Sequence, residues 1–83
     1  MQVTVRLFAL ARERIGRPDL TLELAEPATV GGLKQALTSR FPELAPLMDH
    51  LMFAVATEYA DDDHPIHSGD EVAAFPPVSG GAR

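Results

Sequence analysis

Within its first 41 residues the chain changes hydrophobic period once, and that change dictates most of what it can fold into. In QVTVRLFAL, Val3, Val5 and Leu7 fall on one side, with Thr4, Arg6 and Phe8 on the other. A period of two rich in β-branched residues predicts a strand with one face on a core. LTLEL repeats the pattern, Leu20, Leu22 and Leu24 pointing inward and Thr21 and Glu23 outward. Between them RERIGRPD supplies Gly16 and Pro18 as turn chemistry, which predicts a hairpin with a loop longer than two residues. From EPATVGGLKQALTSRF onward the period lengthens: Val30, Leu33, Leu37 and Phe41 recur at threes and fours, the stripe of an amphipathic helix. Thr29 is placed to cap its first turn, and Pro42 ends it near Arg40. Gly31 and Gly32 each weaken that first turn by about 1 kcal/mol relative to alanine. Glycine at these positions admits the close approach of another backbone.

The second half reads as two more strands. ELAPLMDH is a short irregular or single-turn segment, and LMFAVAT, apolar throughout, predicts a buried strand. EYADDDHPIHSGD is a polar excursion closed by a tight turn at Ser68-Gly69-Asp70. EVAAF is the last strand, stopped by Pro76-Pro77 because neither residue can donate to a ladder. The order is strand, strand, helix, strand, strand. It lays one main helix across one face of a single mixed sheet of four to five strands, an α+β architecture that leaves the other face partly open.

With 83 residues there is room for one core only. The expected division is a folded unit over residues 1–77 and a flexible tail over residues 78–83. The chain has no cysteine, so neither a disulfide nor a thiolate metal site supports the fold, and sulfur cannot be held as a cysteine persulfide. No segment approaches the ~18 apolar residues of a membrane span, and the start lacks a basic-then-apolar signal pattern, so a soluble cytoplasmic protein is expected. A formal charge of −5 disfavours nucleic acid and favours protein partners with basic grooves.

Few side chains suggest chemistry of their own. Asp61, Asp62, Asp63, His64 and His67 have metal-binding residue types, but Pro65 lies between the histidines and no helical register brings them together; a solvated loop is expected. Arg12-Glu13-Arg14 reads as a solvated turn. No nucleophile–base constellation is present. Phe8 lies on the strand face away from the helix. Together with Phe75 and Pro76 it is expected to form a partner surface.

The segments RLFALARERIG, ATVGGL and above all GDEVAAFPPVSGG resemble the ubiquitin-like sulfur-carrier family that includes the small subunits of molybdopterin synthase, over essentially all of Val3 to Gly81. The resemblance implies a β-grasp fold and a chemically active C-terminal glycine. Carried over, Gly81 is the residue whose carboxylate an adenylating enzyme activates with ATP and a sulfur donor converts to a thiocarboxylate. Gly80 is its slim neighbour in the tail, and no cofactor is bound by the carrier. The tail then enters the large synthase subunit and gives sulfur to precursor Z, in a heterotetramer with one carrier at each end. Phe8, Phe75, Pro76, Pro77 and Val78 are the partner-binding positions, and the carrier contributes no catalytic side chain. The tail suits this use physically. Glycines pass through narrow channels, Pro76-Pro77 stiffen the base, and Val78 to Gly81 reach about 13–14 Å when extended.

Two features depart from the family. The chain continues through Ala82 to Arg83, and while Ala82 is attached the Gly81 carbonyl is held in a peptide bond. Either a peptidase removes Ala82-Arg83, or the two residues are foreign to the natural chain, or the terminus is inactive as it stands. The family also usually has an asparagine near the Thr57 position. Alternatives are a sulfur carrier for thiamin or cysteine biosynthesis, a ubiquitin-like modifier that forms isopeptide bonds, or a plain interaction module.

Overall fold

A computed structural model describes residues 1–77. Strand β1 (Gln2–Leu7) leads into helix α1 (Ala9–Ile15) and strand β2 (Asp19–Glu23). A two-residue strand β3 (Ala28–Thr29) opens helix α2 (Val30–Arg40), followed by a 3-10 turn (Pro42–Leu44) and a single-turn helix α3 (Ala45–Met48). Strands β4 (Met52–Val55), β5 (Glu58–Ala60), β6 (Pro65–Ile66) and β7 (Glu71–Phe75) complete the order. Five strands form one sheet in the order β2-β1-β7-β4-β5, and β3 pairs with β6 separately. The central β1–β7 pairing is parallel, and the pairings of β1 with β2, β4 with β7 and β4 with β5 are antiparallel. The mixed sheet with its main helix on one face is the expected α+β architecture. Among the described residues no helix is long and apolar enough to cross a membrane.

Three local expectations are corrected. The loop between the first two strands is largely helix α1. No cap residue announces it, since Phe8 at the N-cap makes no side-chain hydrogen bond, and its inward stripe is only Ala11 and Ile15. Gly16, at φ 84, closes the helix with its N–H on the Arg12 carbonyl oxygen, so the glycine read as a loop residue is a helix terminator. Segment LMFAVAT is not buried throughout. Only Phe53 and Val55 of β4 face the core, while Met52 is exposed and Ala54 partly so. Finally, the polar excursion holds the short strands β5 and β6, so the simple strand–strand–helix–strand–strand order gains three strands and two helices.

The core follows the predicted alternation. Val3, Val5, Leu7, Leu20 and Leu22 of the sheet are buried together with Val30, Leu33 and Leu37 of α2. Burying side chains of this size contributes about 1.5–3 kcal/mol each. Phe41, the last member of the predicted stripe, packs at the margin.

The start of α2 is held by contacts from far along the chain. Thr29 Oγ1 accepts the Gly32 N–H at 3.2 Å, as its position predicts. The Val30 N–H donates to the His64 carbonyl oxygen at 3.0 Å, and the Gly31 N–H to that of Asp62 at 2.9 Å. Three amide groups that a helix start leaves unpaired are thereby satisfied. Gly31 is where another backbone comes close: a Cβ there would lie 3.2 Å from the Asp62 carbonyl oxygen. Lys34 Nζ secures the same loop through Asp62 Oδ1 at 2.6 Å.

Between β4 and β5 the chain turns on Ala56 (φ 51) and Thr57 (φ 71), two left-handed residues in succession. This is the geometry of a type I′ hairpin, for which asparagine and glycine are favoured. Thr57 therefore occupies a position at which its β-branched side chain is disfavoured.

Candidate docking face and tail

The tail leaves from the middle of the sheet. Strand β7 is flanked by β1, with Thr4 opposite Glu71 and Leu7 opposite Ala74, and by β4, with Met52 opposite Phe75. Alternation buries Val72 and Ala74 and turns Ala73 and Phe75 to the face that α2 leaves open. β7 ends at Phe75, and Pro76 and Pro77 follow. The Phe8 N–H donates to the Ala74 carbonyl oxygen at 3.1 Å, which keeps Phe8 beside the last residues of β7.

The open face divides in two. Around the base of the tail it is apolar: Phe8 is 41% exposed, Phe75 half-buried, and Met52 exposed next to it. Tyr59, 70% exposed on β5, packs its ring 5.9 Å from that of Phe75 at 53°. Ala54 and Ala73, cross-strand partners, leave a shallow floor between these larger side chains. Toward the far end of β1 the face is polar. Arg6 Nη1 pairs with Glu71 Oε2 at 3.3 Å while its guanidinium lies 6.0 Å from the Phe8 ring centre, and Thr4 and Thr21 meet hydroxyl to hydroxyl. An exposed apolar patch bordered by polar groups is the signature of a protein contact.

The expected partner residues Phe8, Phe75, Pro76 and Pro77 therefore gather at one end of the open face. Val78, Gly80 and Gly81 lie outside the described residues. Met52, Tyr59 and Leu10 also expose apolar surface there or next to it, and the sequence reading missed all three. Met52 sits in the all-apolar run MFAV, where no alternation marks the exposed face. Tyr59 needed β5 to be recognised, and Leu10 needed α1.

The acidic loop has structural occupations. Asp62 pairs with Lys34, the His64 carbonyl oxygen caps α2, and the His67 N–H donates to Asp70 Oδ2 at 2.8 Å. Among the described residues no three His, Asp or Glu side chains gather to hold a metal ion.

Known proteins resemble the chain over nearly its whole length. The model of the ThiS family matches residues 5–81. The molybdopterin synthase sulfur carrier subunit of Arabidopsis thaliana is 37% identical over 81 residues, covering 98% of this chain and 84% of the relative. The protein of the same description from Escherichia coli (strain K12) is 38% identical, covering 95% and 99%. Among solved structures, SAMP1 from Haloferax volcanii superposes with a TM-score of 0.86 at 31% identity, covering 98% of this chain and all of its own. The sheet order, the central strand that leads to the tail, and a family match running from β1 to Gly81 converge on one assignment: the chain belongs to the ThiS family of ubiquitin-like, β-grasp proteins.

Proposed function

We propose that this chain is the sulfur-carrier subunit of a molybdopterin synthase and that Gly81 carries the sulfur. The observation that bears most weight is the identity of 37–38%, over nearly the full length, to proteins described as molybdopterin synthase sulfur carrier subunits. The extent of the family match supports Gly81 as the working terminus, because it runs to residue 81 and leaves Ala82-Arg83 outside.

In this reading a cytoplasmic adenylating enzyme uses ATP to activate the carboxylate of Gly81. A carboxylate oxygen attacks the α-phosphorus and pyrophosphate departs. Sulfur from a donor then displaces AMP and leaves a thiocarboxylate. An acyl group on glycine suits both steps, since no side chain shields its carbonyl. The apolar end of the open face, with Phe8, Phe75 and Pro76 beside the tail, docks in turn on the adenylating enzyme and on the large synthase subunit. The assembly is a heterotetramer with a carrier at each end. Ala82-Arg83 is removed by a peptidase before activation.

Intact-mass spectrometry tests this reading. The chain ending at Gly81, given an adenylating enzyme, ATP and a sulfur donor, gains the mass difference between sulfur and oxygen, and the chain ending at Arg83 gains nothing. A chain that ends at Gly81 and is never activated removes the proposal. A second reading, a ubiquitin-like modifier, draws on the likeness to SAMP1, a small archaeal modifier protein. Lysine-linked conjugates on a denaturing gel, in place of sulfur transfer, would select it.

A further inference from the structure

Helix α1 is the part of the described surface for which the sulfur-carrier reading has no task. It joins β1 to β2 at the end of the sheet where β7 runs into Pro76 and Pro77, directly after Phe8. Ala11 is fully buried and Ile15, four residues on, is half-buried, so this pair faces the core. At about 100° per residue, Arg12 and Arg14 flank the buried edge, and Leu10 shares Arg14's side. Leu10 is 46% exposed, more than Phe8.

Arg12, Arg14 and Arg17 are all exposed, and none of them is in an ion pair among the described residues. Glu13, between two of them, points the opposite way from Ala11. Asp70 and Glu71 stand at the start of β7, away from α1, and Asp61 to Asp63 follow β5 at the other edge of the sheet, Asp62 over the start of α2. Glu13 and Asp19 share the α1 end, so the guanidinium groups beside Leu10, which make no ion pair among the described residues, are a local feature of a surface of mixed charge.

We propose that α1 is a second docking element, and that the large synthase subunit offers it an apolar pocket for Leu10 bordered by carboxylates for Arg12, Arg14 and Arg17. The proposal rests on the sulfur-carrier reading, because that reading brings the large subunit against this end. A protein surface fits better than a small phosphate ligand for two reasons. The guanidinium groups sit on both flanks of the helix and do not converge on one point as phosphate binding requires, and an exposed leucine among them has no use for an anion. Continuity with Phe8 and Phe75 makes α1 an extension of the apolar patch around the tail.

Binding kinetics to the large subunit encoded in the same genome test the proposal, using the chain ending at Gly81. Leu10→Ser is expected to weaken binding about tenfold, as a truncated anchor does. Arg14→Glu with Arg17→Glu is expected to slow association about tenfold at low ionic strength, with the loss shrinking as salt rises. Glu26→Gln, at the opposite end of the sheet beside Met1 and His67, changes neither rate. Circular dichroism melts confirm that the variants fold. The proposal is overturned if the Leu10 and arginine variants stay within about twofold of wild type while Phe75→Ala weakens binding, which confines docking to the sheet. Faster association after arginine reversal overturns it too, since the partner's rim is then basic. A wild-type chain that does not bind the large subunit at all instead removes the functional reading, and this proposal with it.

Discussion

Gly31 and Gly32 stand side by side in the first turn of α2, yet the structure assigns them opposite responses to alanine. In a helix, alanine is favoured over glycine by about 1 kcal/mol, part of it through the unfolded chain. At Gly32 the new Cβ meets only Thr29 Oγ1, at 3.6 Å, an ordinary contact that leaves the cap intact. Gly32→Ala is therefore expected to stabilise the protein by about 0.5–1 kcal/mol, which for a domain this small raises Tm by about 2–8 °C. At Gly31 the Cβ would lie 3.2 Å from the very carbonyl oxygen that accepts the Gly31 N–H at 2.9 Å. The loop cannot retreat without lengthening that hydrogen bond, and it is further tied by the Val30–His64 bond and the Lys34–Asp62 pair. Losing one such bond costs about 1 kcal/mol, enough to cancel the gain in propensity. Gly31→Ala is therefore expected to melt at or below the wild-type temperature, about 2 °C or more under Gly32→Ala. Thermal unfolding followed by circular dichroism measures both variants. Equal stabilisation by the two substitutions would refute the reasoning, because it would mean that the Asp62 loop yields freely.

Other substitutions probe the hairpin, the core and the docking face. Thr57→Gly relieves a β-branched residue at φ 71; the relief of about 1–2 kcal/mol, less the added freedom of the unfolded chain, leaves a net gain of about 0.5–1 kcal/mol. A lower Tm for that variant would contradict the type I′ assignment. Leu37→Ala empties a fully buried site on α2 and is expected to cost about 2–5 kcal/mol, a large part of the stability of so small a domain, as urea unfolding will measure. Phe75→Ser removes an outward-facing ring and its contact with Tyr59, at a cost of about 0.5–1.5 kcal/mol to the fold. Its larger effect is expected on affinity for the large subunit, which titration calorimetry resolves.

Legibility in the sequence tracked how each element is held. β1, β2 and α2 carry their own instructions: alternating Val3–Leu7 and Leu20–Leu24, a threonine cap, and a stripe ending before Pro42. They were read correctly, with the inward and outward faces in the right sense. α1 was lost because its buried stripe is two residues long and its start lacks a capping side chain, so Gly16 and Pro18 dominated the local signal. β5 and β6 were lost because strands of two or three residues derive their pairing from tertiary contact, not from propensity. The aromatic partner surface was half legible. Phe75 lies on a strand whose alternation is plain and Phe8 directly follows another, whereas Tyr59 and Leu10 acquire their positions only once the missed elements are in place.

The placement of β7 has a mechanical consequence. A strand at a sheet edge, loaded from one end, can peel away bond by bond. β7 has neighbours on both sides, running parallel to β1 and antiparallel to β4. A pull on the residues after Pro77 acts along the strand axis, across hydrogen bonds that run roughly perpendicular to it on the antiparallel side and slanted on the parallel side. Both ladders then share the load in shear and must give way together. A partner that grips the end of this chain can tug on it, and let it go, while the domain behind stays folded.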